Sequence, residues 1–226
     1  MSTAFSKQDP ASLYRPFGRV RGFMVGLAGF VLILAGSAAA QTLSVEEAER
    51  LVRSVYYEGM PEELAARIGP AGAARLVEML ADSEEASSHA QIMLALGLCG
   101  SPDAMAAIES WMAVPRSGEV DRKTFRAWQV LPYALGHLAR SDRRALRRLE
   151  RLIHEDAPNW TFRQHRGARL RRLTRDSAVA SLAETGLPEA RSMLDRAARN
   201  ASDAQFEEHL RAARARHAER AREVAR

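Results

Sequence analysis

Leu94-Ala95-Leu96-Gly97-Leu98-Cys99-Gly100-Ser101-Pro102-Asp103-Ala104 ends one helix and begins another. Ile92, Met93, Leu96 and Cys99 supply the buried side of the first helix. Gly100-Ser101-Pro102 stops it, and Met105, Ile108, Trp111 and Met112 then recur at helical intervals. A turn this short leaves two helices little choice but close antiparallel packing. Variants of the same unit follow at Tyr133-Ala134-Leu135-Gly136-His137-Leu138-Ala139-Arg140-Ser141-Asp142 and at Val179-Ala180-Ser181-Leu182-Ala183-Glu184-Thr185-Gly186-Leu187-Pro188-Glu189-Ala190.

Outward from these turns, residues 41–226 hold only 18 valines, isoleucines and threonines, while alanine, leucine, arginine and glutamate dominate. The fold class is therefore all-α. Ser44 and Glu47 form a capping box ahead of Val45, Ala48, Leu51, Val52 and Val55, with Gly59 closing that helix. Pro61 suits the first turn of a helix carrying Leu64 and Ile68 that stops at Gly69-Pro70; Leu76, Val77 and Leu80 mark the next. Asp82 and Glu85 repeat the capping pattern before the helix of Ile92. Phe125, Trp128, Leu131, Leu135 and Leu138 line a helix that Pro132 should kink, and Leu146, Leu149, Leu152 and Ile153 line its successor after Ser141-Asp142. Leu170, Leu173, Val179 and Leu182 precede a last hairpin with Ala190, Met193, Leu194 and Ala197.

The repeated unit resembles the HEAT repeat, in the bacterial form where an alanine-rich inner helix ends in Ala-Leu-Gly-x-Leu-Gly and a Pro-Asp/Glu-Ala turn starts the next. Leu96, Leu135 and Leu182 stand 39 and 47 residues apart, close to the ~40–47 period of HEAT and armadillo units. The second copy lacks the glycine and proline of the turn, and the third has Leu182-Ala183 where Leu-Gly is usual. The resemblance implies an α-solenoid of about four helical hairpins, an armadillo-type superhelix, over residues 61–200. Residues 41–60 would be an N-terminal capping helix and residues 201–226 a polar C-terminal helix or tail, exposed or partly frayed. The family pattern carries no catalytic residues to transfer. Physically, each hairpin exposes apolar positions on two sides and buries both only against its neighbours; a compact helical bundle is the alternative.

Ahead of this body, Lys7, Arg15, Arg19 and Arg21 precede a stretch, residues 22–40, without any charge. Its apolar core and the ending Ala38-Ala39-Ala40 read as a signal peptide, residues 1–40, cleaved before Gln41. Export to the periplasm follows, the alternative being an inner-membrane anchor formed by residues 22–40. In an oxidising compartment the single cysteine, Cys99, is expected to be buried.

Of 33 basic residues only Lys7 and Lys123 are lysine, so the net charge of +5 is carried by arginine. Up to Ala113 the mature chain has four basic against twelve acidic residues, and after it 25 against 15. Between Arg140 and Arg175 there are twelve arginines and four acids. Arg143, Arg147 and Arg151 share a helical row beside Arg144 and Arg148, expected to face water. Pro158-Asn159-Trp160-Thr161-Phe162-Arg163-Gln164-His165-Arg166 adds two aromatics in a long loop, where they either bind or plug the gap between hairpins. The candidate contact set for an anionic partner is Arg144, Arg147, Arg148, Arg151, Trp160, Arg163, Arg166, Arg169 and Arg172. That partner would be another protein or an anionic envelope component; the leader argues against nucleic acid. The alternative is a solvated face that needs no ligand.

No two of the six histidines fall at the i, i+4 spacing of a helical metal pair, and HExxH, Gly-x-Ser-x-Gly and Gly-rich phosphate or dinucleotide loops are missing. No cofactor is implied. The sequence points to a non-catalytic binding scaffold; a lyase-type or enzyme-associated HEAT-like subunit and a membrane-tethered structural subunit are the alternatives.

Overall fold

The computed structural model describes residues 42–57 and 59–226; the expected leader, residues 1–40, lies outside them. The described chain is mostly helical. α1 (Val45–Arg53) opens with the capping box, Glu47 N–H donating to Ser44 Oγ at 3.2 Å and Ser44 N–H donating to Glu47 Oε2 at 2.8 Å. It stops at Arg53 rather than at Gly59, because Ser54 turns extended and its hydroxyl donates back to the Arg50 carbonyl at 2.7 Å. Val55, expected on the buried stripe, is consequently 81% exposed.

α2 (Glu62–Ala65) and α3 (Pro70–Ala81) follow. Asp82 caps a different element from the one expected. It accepts the Glu84 N–H at 2.9 Å to start a 3-10 turn, Ser83–Ser87, while α4 (His89–Cys99) begins from Ser88 and Glu85 pairs with Arg53. Gly100 ends α4 with a left-handed φ of 65°, which favours glycine. Then come α5 (Ala104–Ala113), α6 (Arg122–Leu138), α7 (Arg143–His154), α8 (Gly167–Thr185), α9 (Pro188–Arg199) and α10 (Ala204–Val224). Pro132 lies buried within α6, which continues as helix on both sides of it. The C-terminal segment is helical, and α10 buries Phe206, Leu210, Ala213 and His217 on the side that meets α8 and α9.

Packing joins helices close in sequence. The inner contacts run α4 on α6, α6 on α8 and α8 on α10, while α3 packs on α5 and α7 on α9. The closest approach is at Gly97, where a Cβ would overlap the Ala134 carbonyl oxygen and lie 3.0 Å from its carbon. Gly136 meets α8 in the same way, with Ser181 Cβ at 3.2 Å and its carbonyl oxygen at 3.3 Å. Ala134 and Ser181 hold the same position in the aligned stretches, so two successive interhelical contacts share one register.

One element lies outside the helical pattern. β1 (Gly118–Glu119) and β2 (Trp160–Thr161) pair in parallel, Gly118 opposite Trp160, and Val120 N–H donates to the Thr161 carbonyl at 2.9 Å. Two loops, α5–α6 and α7–α8, are thereby joined. Residue pairs this short leave no periodicity to read.

Asp142, read from sequence as an interruption, is the N-cap of α7. It accepts the Arg144 N–H at 2.8 Å and its guanidinium at 2.6 Å. The hydrogen bond from the Arg144 side chain holds the carboxyl below the usual aspartate range. Its stabilising contribution is thus complete above the unfolded aspartate value of about 3.9 and is lost as pH falls through the lower folded value. Asp142→Ala should cost about 1 kcal/mol in urea unfolding at neutral pH, and the difference from wild type should shrink in acid. An undiminished difference in acid would contradict this assignment.

Candidate functional site

The arginine row on α7 is largely occupied. Arg144 pairs with Asp142, Arg148 with Glu155 at 2.9 Å, Arg151 with Glu109 of α5 at 3.7 Å, and Arg143 with Glu189 of α9 at 3.5 Å. Arg148 does not face water as expected: its side chain is only 17% exposed, and burial lowers its pKa. Its guanidinium is held by two hydrogen bonds to the Glu155 carboxylate, at 2.9 and 3.2 Å. Arg147 is exposed and has no ion pair among the described residues.

The aromatic loop turns inward. Trp160 is 4% exposed and Phe162 9%. Phe162 stacks on Phe125 at 4.2 Å between ring centroids, and Trp160 meets Trp128 edge-on at 5.3 Å. Trp128 Nε1–H in turn donates to Thr174 Oγ1 at 3.0 Å. Of the two readings of this loop, the burial fits the plug; the Trp160 indole is core. Arg163, with a positive φ of 49°, lays its guanidinium 5.3 Å from the Phe162 ring centroid and stays exposed.

Arg169 and Arg172 fall elsewhere, on a face that α6, α8 and α10 build together. Three clefts of about 420, 490 and 440 Å³ run along it. Tyr133 lines the first two, and Glu62, His137 and Arg140 line the second and third, so they form one groove. Arg166 is exposed at the N-cap of α8 and lines none of the three clefts, though its chain neighbour His165 lines the first. Arg169 and Arg140 have no ion pair among the described residues; Arg172 donates only to Gln205 Oε1, at 3.2 Å. The opposite end, beside α2, carries Glu62 and Glu63.

Helix contacts hold the groove walls. His209 of α10 bonds the Asp176 carbonyl of α8 through Nε2 at 3.0 Å. Glu184 binds both Arg216 and Arg220; burial would raise its pKa, but those two hydrogen bonds outweigh it and hold the carboxyl low. Tyr133, 47% exposed, projects from the middle of the groove. His137 is half-buried, and desolvation lowers its pKa, which favours the neutral imidazole.

Nucleophile chemistry has a poor geometric basis here. Ser181 Oγ is buried without a hydrogen-bond partner, and Ser181 and His137 line one cleft with no hydrogen bond between them. Cys99, at the α2 end, is half-buried rather than buried; burial pushes its thiol pKa up, which suppresses the thiolate. Among the described residues no group of three or more His, Cys, Asp or Glu could hold a metal ion, and no helix is long and apolar enough to cross a membrane. No family model matches the chain, and no characterised protein or solved structure matches it either.

Sequence reasoning missed Tyr133, His137 and Arg140 as groove residues. The signal was present: they lie three before, one after and four after Gly136, on the helix face opposite its contact leucines.

Proposed function

We propose that the chain is a non-catalytic protein-binding scaffold of the cell envelope, an HEAT-like α-solenoid whose groove takes an acidic segment of a partner protein. The observation that carries the reading is the groove centred on exposed Tyr133, along which the guanidiniums of Arg140 and Arg169 have no ion pair among the described residues. An uncompensated arginine beside an amphipathic phenol suits a carboxylate-rich peptide, which gains charge-assisted hydrogen bonds and a flat contact surface. The repeated register at Gly97 and Gly136 supports stacking of like units, and packing between near neighbours supports an open arrangement. The leader-like residues 1–40 support export and a periplasmic setting.

Arg144, Arg148 and Arg151 contribute less to this role, because each already has a carboxylate. The test is fluorescence anisotropy of a labelled oligoglutamate peptide at low salt. Combined Arg140→Glu, Arg169→Glu and Arg172→Glu should weaken binding by about tenfold or more, whereas Arg147→Glu should change it by less than about twofold. Equal effects of the two variants, or no measurable binding to the wild type, would overturn the assignment.

A further inference from the structure

We infer that a second site, the cleft between α3 and α5, binds a small amphiphile with an aliphatic body and a carboxylate head. The cleft measures about 540 Å³ and lies apart from the groove, within the range of pockets that hold small ligands. Val77, Leu80 and Ala81 of α3 and Ala107 and Trp111 of α5 give it apolar walls, and Val114, 53% exposed, stands at its edge. Ser83, Ser110 and Thr124 add hydroxyls to the lining.

The indole and imidazole of the wall are already partnered by each other and by backbone. Trp111 Nε1–H donates to His89 Nδ1 at 3.1 Å, and the other ring nitrogen of His89 meets the Asp82 carbonyl at 2.9 Å. His89 thereby carries its proton on Nε2, leaving Nδ1 free to accept.

Arg116 is the exception. Its guanidinium lies 4.1 Å from the Trp111 ring centroid and donates to the Trp111 and Val114 carbonyls at 2.9 and 3.0 Å. Two of its five N–H groups are used, and no carboxylate pairs with it among the described residues. Partial burial lowers its pKa, so the cation lacks full compensation where it stands. An anion placed there recovers that loss, while the cleft beside it favours hydrocarbon. A peptide would need a partner for every backbone group it brought in, against a lining whose polar side chains beyond the paired Trp111 and His89 are three hydroxyls and Arg116; a free aliphatic carboxylate needs only an apolar wall and one guanidinium.

The probe is decanoate below its micelle concentration, followed through the Trp111 indole N–H and Arg116 Nε–H resonances of the intact protein, with decanol as the uncharged comparison. Wild type should show saturable shifts, with decanoate binding about tenfold more tightly than decanol. Arg116→Met, which keeps bulk but not charge, should bring the two affinities within about twofold of each other. Ala107→Phe should abolish both, and Arg169→Glu in the groove should alter neither. Equal affinities in wild type, absence of saturation, insensitivity to Arg116→Met, or dimerisation in place of binding would each overturn the site.

Discussion

Trp160→Ala is expected to destabilise the protein by about 3–5 kcal/mol, the cost of removing a large aromatic from a packed interior. The residue is 4% exposed and closes a cluster with Phe125 and Trp128, at centroid distances of 6.5 and 5.3 Å. Its backbone also belongs to the parallel strand pair with Gly118, so collapse into the vacated space would pull on a second loop. Thermal midpoint should fall by more than roughly 6 °C in a chain of this length. Partner capture, measured on the fraction that remains folded, should be unchanged. A stable variant that loses only capture would return Trp160 to the surface and remove the plug from the argument.

Gly97→Ala carries the second large effect. A methyl group in a helix ordinarily adds about 1 kcal/mol over glycine. Here it would overlap the Ala134 carbonyl oxygen and come within 3.1 Å of the Ala134 Cα, and backbone cannot step aside as a side chain can. Forced separation of α4 and α6 should exceed the propensity gain and leave a net loss of about 2 kcal/mol; Gly97→Leu should prevent folding. Gly136→Ala is the internal comparison. Its nearest contacts begin at 3.2 Å and include the Ser181 side-chain carbon, so strain and propensity nearly cancel. Urea unfolding of the two alanine variants gives the ranking, and a reversed order would show that α4 and α6 are free to spread.

Much of the fold was legible because it rests on local rules. Ser44 and Glu47, Gly100, and Gly186 before Pro188 mark ends that depend on hydrogen bonds and dihedral preferences within a few residues. The leucines at 96, 135 and 182 are all fully buried. Reading failed where a choice depended on something distant. Asp82 and Glu85 looked like one capping box, but Asp82 caps a 3-10 turn while Glu85 turns to Arg53 of α1, a partner 32 residues away. Cys99 is half-exposed because it ends α4 beside a cleft that α2 and α6 only partly cover.

The candidate site was less legible for the same reason. An arginine row on a helix looks identical in sequence whether or not carboxylates meet it: Glu109 and Glu189 arrive from other helices, while Glu155 sits at the C-cap of α7 itself. Arg169 and Arg172 were visible as charges, but their company with Tyr133 depends on how α6 and α8 cross. Tyr133 lies off the leucine face of α6, so its exposure was legible while its neighbours from α8 were not.

The little strand pair has a mechanical meaning. Bending between one helical pair and the next would make the intervening loops slide past each other, and here two of them are clipped together beside a wedge of rings. Sliding there would have to break the β1–β2 pairing and unstack Phe125 from Phe162, so the helices that carry Tyr133 and Arg169 are tied together through both.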